Sequence, residues 1–275
     1  MKKLLLLPMI LVILNANVFG NKTTREKIEE KRNANIKKLA ETGECIDCYL
    51  GSINFSDQDL SGFNLSNADL SGSDFSNSIL RDVNFSESSL YKSGFNGADL
   101  QKTNFKSARL KSTTFVGAKL KDTIFSYAIL ENADLNGMDL YEIDLSTVDL
   151  SNANLENTRI LKLKNSRLRS AKMSKADLVG ADLRGAVLKY ADLTGANLTN
   201  ANLENANLSN ARLIGANLTN ANLKNSFLYK TDLTGAVLTN ANLDFANMYG
   251  ARLCNTVVPD GQRIFYECRA NIRTD

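Results

Sequence analysis

From Leu50 onward the chain places Leu or Phe at nearly every fifth position, usually with a small residue two places before it. One stretch reads Ala191-Asp-Leu-Thr-Gly, Ala196-Asn-Leu-Thr-Asn, Ala201-Asn-Leu-Glu-Asn, Ala206-Asn-Leu-Ser-Asn. A period of five fits neither a helix, at 3.6, nor an ordinary strand, at 2. The two apolar positions of each pentad need one common interior. The other three, drawn from Asn, Asp, Ser, Thr, Lys and Gly, suit a solvated exterior. We call the Leu/Phe position the centre. Two places after it Gly or Asn recurs, as at Gly62, Gly72, Asn77, Gly97, Gly180, Gly195, Asn200 and Asn205. These residues tolerate positive φ. Each pentad is therefore expected to be a short extended piece followed by a corner.

The centres keep one phase from Leu50 to Ile160, through Phe55, Leu60, Leu65, Leu70 and Phe75 and on to Leu145, Leu150 and Leu155. A second phase runs from Leu163, securely from Leu168, to Leu253 and on to Val258. Between them Thr158-Arg-Ile160-Leu161-Lys-Leu163-Lys-Asn-Ser166-Arg-Leu168 changes register by three. Either two outward residues are missing or three are inserted. Proline occurs only at Pro8 and Pro259, outside the repeats. That suits a stacked ladder using nearly every backbone N–H.

This Ala-Asp/Asn-Leu-x-x pattern resembles the pentapeptide-repeat family over about residues 45 to 258. The resemblance implies an all-β fold: a right-handed, quadrilateral β-helix, or solenoid, with four pentads per coil. With four faces, Phe55, Phe75, Phe95 and Phe115 share a column opposite Phe85, Phe105 and Phe125. Phe75 should then meet Phe85 across the core, and Phe95 should meet Phe105. The second block has no Phe centre, so its core should be narrower or packed differently.

Residues 1–20 read as a signal peptide. Lys2 and Lys3 precede an apolar run from Leu4 to Leu14, with cleavage expected after Gly20. The run is short for a membrane span. Export to the periplasm or outside the cell is the localisation expected. Residues 21–44 read as a polar helical cap. Thr23 and Glu26 fit a capping box, and Ile28, Ile36, Leu39 and Ala40 are its few apolar positions. The expected order is this cap, a first repeat block at 45–160, the phase break at 161–167, a second block at 168–258 and a C-terminal cap at 259–275.

The four cysteines are Cys45, Cys48, Cys254 and Cys268, one pair at each end of the repeats. An even count in an exported chain suggests disulfides. Cys254–Cys268 would staple the terminal cap. Cys45-Ile-Asp-Cys48 fits a local bridge, and its spacing also fits a redox motif or half a zinc site. Zinc would need further ligands, and the chain has no His. The resemblance implies structural caps at both ends, since Cys-x-x-Cys before the first pentads and the ending Cys254-Asn-Thr256…Pro259-Asp-Gly261…Cys268 are both familiar there.

Lack of His excludes histidine triads and proton shuttles. Asp134, Asp139, Asp144 and Asp149 come once per face and specify no acid/base pair. No enzyme activity, cofactor or small-molecule substrate is expected. Formal charge is +3, and loss of Lys2 and Lys3 would reduce it further. The family's best-known activity is mimicry of duplex DNA to occupy a topoisomerase. That needs a strongly acidic surface, so this role and nucleic acid are not expected. Around the phase break Arg159, Lys162, Lys164, Arg167, Arg169, Lys172 and Lys175 form a basic band, after the acids Glu131, Asp134, Asp139, Glu142, Asp144, Asp149 and Glu156. The band either binds an anionic envelope polymer or lipid, or balances its acidic neighbours. The second reading is preferred. Phe227, Tyr229, Phe245 and Tyr249 are outward aromatics in adjacent coils, with Tyr229 over Tyr249. Ile124, Tyr127 and Ile129 share another corner. Such patches mark contacts. The expected role is an exported, non-enzymatic scaffold for a protein partner.

Overall fold

A computed structural model describes residues 23–266 and 268. The signal-peptide expectation and the last residues of the C-terminal cap lie outside them. The chain forms two compact units, one up to Ile129 and one from Leu130.

The first unit opens with helix α1, Thr24–Thr42. Thr23 and Glu26 close a reciprocal capping box. The Thr23 amide donates to Glu26 Oε2 at 2.6 Å, and the Glu26 amide donates to Thr23 Oγ1 at 3.3 Å. Gly43 ends the helix in the left-handed region, φ 73°, its N–H reaching the Leu39 carbonyl at 2.8 Å. The last turns bury Ile36, Leu39 and Ala40, and Ile28 stays exposed. Asn35 Nδ2 donates to the Tyr49 carbonyl at 3.0 Å, tying the helix to the first coil. Burying that coil end removes an exposed edge.

Parallel bridges then join residues 20 apart, from Glu44↔Asn64 to Arg109↔Ile129. Four pentads make one coil, and the coils stack as a β-helical solenoid. The pentad Asn64–Ala68 shows why this sequence builds it. Asn64 N–H donates back to Gly43 O in the preceding coil, Leu65 N–H forward to Asn84 O, and Asn67 N–H forward to Ser86 O. Ala68 N–H closes on Leu65 O, and Ser66 N–H is taken by the Asn64 side chain at 3.2 Å. All five N–H groups are used, so Pro fits at none of them.

The centres point inward. Phe75 meets Phe85 edge-on at 5.5 Å and Phe95 meets Phe105 at 5.5 Å, as the column argument expected. Along each column the rings stack at 5.0–5.3 Å. The small position two before the centre is also buried. In the first unit its hydroxyls donate to carbonyls, either of the same pentad (Ser78 to Phe75 O) or of the coil before (Thr103 to Leu80 O).

The second unit repeats the ladder with Leu and Met173 in its core. Leu198, Leu203 and Leu208 are fully buried and Asn200 is exposed, whereas Glu204 and Ser209 are half-buried along the wall. Strand β1, Asp139–Asp144, pairs in parallel with β2, Arg159–Lys162. Their register runs Asp139↔Arg159, Leu140↔Ile160, then Asp144↔Lys162. The register change is therefore a loss of two residues. Ile160 and Leu163 are successive centres with no turn between them, and the 20-residue spacing resumes at Lys162↔Asp182. At the other end β3, Leu253–Val257, pairs antiparallel with β4, Arg263–Tyr266. The connection through Pro259, Asp260 and Gly261 holds Gly261 at φ 84°, a value that favours glycine.

Candidate interaction surface

Each pentad's outer residues have fixed duties. The residue before the centre, usually Asp or Asn, caps the following corner by accepting the N–H two residues on. Asp134, Asp139, Asp144 and Asp149 accept from Asn136, Tyr141, Ser146 and Ser151 at 2.9–3.1 Å. These carboxylates are turn caps, which explains their spacing without any acid/base chemistry.

The basic band takes a form that one-dimensional reading missed. We name the four faces by their centres: A through Leu168, B through Met173, C through Ile160 and D through Leu163. Arg159 lies on face C, Lys162 and Lys164 on D, Arg167 and Arg169 on A, and Lys172 and Lys175 on B. The seven cations form a girdle around all four sides. They do not share one stretch of surface, as a linear reading of the sequence suggests. Acids flank the girdle in adjacent coils. Arg159 lies 3.8 Å from both Asp139 and Asp177, with its guanidinium 3.9 Å from the centroid of the Tyr141 ring. Arg167 pairs with Asp149 at 3.7 Å. Lys162 donates to the Glu142 carbonyl at 3.4 Å and is bridged in register to Asp144 and Asp182. Asp182 is held below the usual carboxylate range, chiefly by hydrogen bonds from Arg184 at 2.7 and 2.9 Å, with Lys164 adding attraction.

A more buried ion pair lies in the first unit. Asp99, 8% exposed, receives Arg81 at 2.6 and 2.8 Å. Burial pushes its carboxyl upward. The Arg81 hydrogen bond, the Gln101 amide and the Arg81 charge together outweigh that and hold it below the ordinary range. The partners are 18 residues apart, a diagonal between coils, and the signal is legible only once the 20-residue ladder is known.

The aromatic residues project as expected. Tyr229 stacks on Tyr249 at 6.0 Å and 6° between planes. Phe227 is 49% exposed, Tyr249 75% and Phe245 84%. Phe245 holds φ 56°, a left-handed corner that elsewhere in its column takes Asn165, Gly185, Asn205 and Asn225. Tyr127 and Tyr190 do the same at 60° and 62°. That conformation costs a bulky residue about 1–2 kcal/mol. In the first unit, Ile124 and Ile129 flank Tyr127 across one corner, and all three are exposed.

Cys45 bonds to Cys48 and Cys254 to Cys268. The first bridge lies beneath the last turns of α1, and the second spans the β3–β4 hairpin. Among the described residues no group of three or more His, Cys, Asp or Glu could hold a metal ion. No described helix is long and apolar enough to cross a membrane.

Several solved structures are similar. One is HetL, a pentapeptide repeat protein involved in heterocyst differentiation regulation from the cyanobacterium Nostoc sp. strain PCC 7120. It is 28% identical, covering 83% of this chain and 98% of that one, with a TM-score of 0.28. QnrB1, a plasmid-mediated fluoroquinolone resistance protein, is 19% identical over 74% of this chain and 89% of its own, TM-score 0.34. A pentapeptide repeat protein of the Arabidopsis thaliana thylakoid lumen is 33% identical over 44% of this chain and 68% of its own, TM-score 0.14. No curated protein matches the chain. Models of pentapeptide repeats match residues 48–86, 162–200, 196–235 and 228–257, and a pentapeptide repeat region matches 89–164. Those matches span most of the stacked ladder, and the chain belongs to the pentapeptide-repeat family.

Proposed function

We propose that this protein is an exported, non-catalytic scaffold that holds a protein partner on its outer wall. One observation carries the reading. In the first unit Ile124, Tyr127 and Ile129 gather exposed apolar surface at one corner, and Tyr127, 63% exposed, holds a left-handed conformation that its column otherwise gives to the smaller or polar Asp47, Asn67, Glu87 and Ser107. An aromatic kept there at a conformational cost supports a contact role. Behind the corner, the Ile124 and Ile129 N–H groups donate to the Thr103 and Ala108 carbonyls of the preceding coil at 2.9 and 3.0 Å.

The alternative of an anionic ligand on the 159–175 band is weakened by the girdle. Any single face carries only one or two of its cations, and Arg159 and Arg167 already face acids. Topoisomerase protection by DNA mimicry finds little support in a chain of formal charge +3. Recovery of partners from the native envelope fraction with wild type and with Tyr127→Asn tests the proposal. A partner held by wild type and lost by a fully folded Tyr127→Asn is expected. Cytoplasmic retention, or identical recovery with a variant that also carries Ile124→Ser and Ile129→Ser, would overturn it.

A further inference from the structure

Face A of the second unit has a composition no other face shares. From the phase break onward its successive strips are residues 166–170, 186–190, 206–210, 226–230 and 246–250, joined by the bridges Arg167↔Val187↔Asn207↔Phe227↔Asn247, and the strip before them, 148–152, carries Asp149 bridged to Arg167. The strips from the phase break onward contain Arg167, Arg169, Lys189 and Lys230, the aromatics Tyr190, Phe227, Tyr229 and Tyr249, and no Asp or Glu. Phe245 stands at the corner leading into this face, beside Asp244. Arg167 meets Asp149 in the coil before, and the other three cations have no acidic partner within 4 Å among the described residues. Face B alternates instead, pairing Asp192 with Arg212 and Asp232 with Arg252. From the phase break onward face C has Asp177 and no aromatic, Tyr141 lying one coil before, and face D has Asp182, Glu204 and Asp244, with Phe245 at its end.

We infer that face A docks the protein on a bilayer surface bearing anionic headgroups. The charge selects an anionic occupant. The ring geometry selects among anionic occupants. A sugar or a nucleic-acid base stacks on a free aromatic face. Here the Tyr229 and Tyr249 rings cover each other, Lys230 lies 5.1 Å from the Tyr229 centroid, and Arg169 lies 5.3 Å from that of Tyr190. Each of these tyrosines therefore has a ring face engaged by a neighbour in its own wall, with its hydroxyl end turned outward. That is the mode in which phenols sit at headgroup depth, with an apolar body and a polar tip. Phe227 and Phe245 supply apolar side chains to enter the acyl boundary, and the cations attract anionic lipid. Folding does not explain Phe245, because its left-handed corner prefers Asn or Gly. The inference rests on the exported-scaffold reading and supplies the surface on which such a scaffold would sit.

The chain has no tryptophan, so Phe245→Trp in the full chain gives a single site-specific reporter. Its emission should shift to the blue, and brominated lipid should quench it, on mixing with phosphatidylglycerol/phosphatidylcholine vesicles. Phosphatidylcholine alone should do neither. Val179→Trp, on face C, should report no change, which removes any contribution from membrane attachment by the apolar N-terminus. Changing Lys189 and Lys230 to Gln should weaken the Phe245→Trp response about fivefold each, because each basic side chain near an anionic surface adds a similar attraction. Phe245→Asn should sediment less with anionic vesicles while unfolding no more easily than wild type. The inference is overturned by an unshifted Phe245→Trp, by an equal shift at Val179→Trp, or by indifference to phosphatidylglycerol. A response to a soluble acidic glycan or single-stranded oligonucleotide in place of vesicles overturns it too. Failure here leaves export and the Tyr127 corner untouched, and those are tested by fractionation and partner recovery.

Discussion

Replacing Phe95 by Leu isolates what the ring ladder adds to the core of the first unit. Phe95 stacks on Phe75 at 5.1 Å and on Phe115 at 5.2 Å, and meets Phe85 and Phe105 edge-on at 6.1 and 5.5 Å. Each such pair contributes about 0.5–1.5 kcal/mol beyond burial. Four pairs give roughly 2–6 kcal/mol. Leucine keeps much of the apolar volume and the neighbours relax, so a loss of about 2–4 kcal/mol is expected. Leu100 lies in the same coil and is fully buried, but it has no ring. Leu100→Met, a volume-conserving swap, should cost less than about 1.5 kcal/mol. Both are read from urea unfolding followed by circular dichroism without reductant, comparing midpoints at unchanged slope. Equal midpoints for the two variants would refute the claim that ring pairing stabilises this core beyond simple burial.

Three further outcomes are expected. Leu203→Asp puts an unpaired charge among fully buried leucines and should destabilise by several kcal/mol, on the order of 3–5. The wall substitution Glu204→Lys should change stability by less than about 0.5 kcal/mol, and equal melting shifts would contradict the inward and outward assignment. Reduction of Cys254–Cys268 should raise hydrogen exchange first in β3 and β4, with the amides of Leu193 to Leu218 still protected; uniform loss of protection would contradict a local staple. Asp99 has a depressed carboxyl, so its contribution is complete above the ordinary carboxylate range and lost as pH falls through its lowered value. Arg81→Gln should therefore lower stability at neutral pH, and its difference from wild type should close as the pH falls through the lowered Asp99 value; a difference independent of pH would contradict the pairing.

The inward positions were legible because the period of five repeats with little variation, and Phe75 facing Phe85 followed from the column rule. The capping box was equally local, with Thr23 and Glu26 three residues apart. Other features needed the third dimension. Whether the register change was a loss or a gain depended on Ile160 and Leu163 becoming adjacent centres, which the bridge Asp144↔Lys162 reveals. The seven cations looked like one patch because they are neighbours in sequence, yet consecutive pentads occupy consecutive faces. The aromatics of face A, Phe227, Tyr229 and Tyr249, were legible from the 20-residue rule, whereas their alignment with Arg167, Arg169, Lys189 and Tyr190 emerged only from the ladder. Arg81 and Asp99 pair on a diagonal that no pentad count displays. The corner positions of Tyr127, Tyr190 and Phe245 follow from phase alone; their significance emerges against a structure in which that place demands positive φ.

We propose that the protein is exported and closed by an oxidised bridge at each end. Intact-mass and non-reducing peptide mapping of the native protein, recovered from separated cell fractions, tests it most directly. Envelope or extracellular material beginning at Asn21 is expected, with Cys45 linked to Cys48, Cys254 linked to Cys268 and no free thiol. Cytoplasmic protein beginning at Met1 with four free thiols would contradict it.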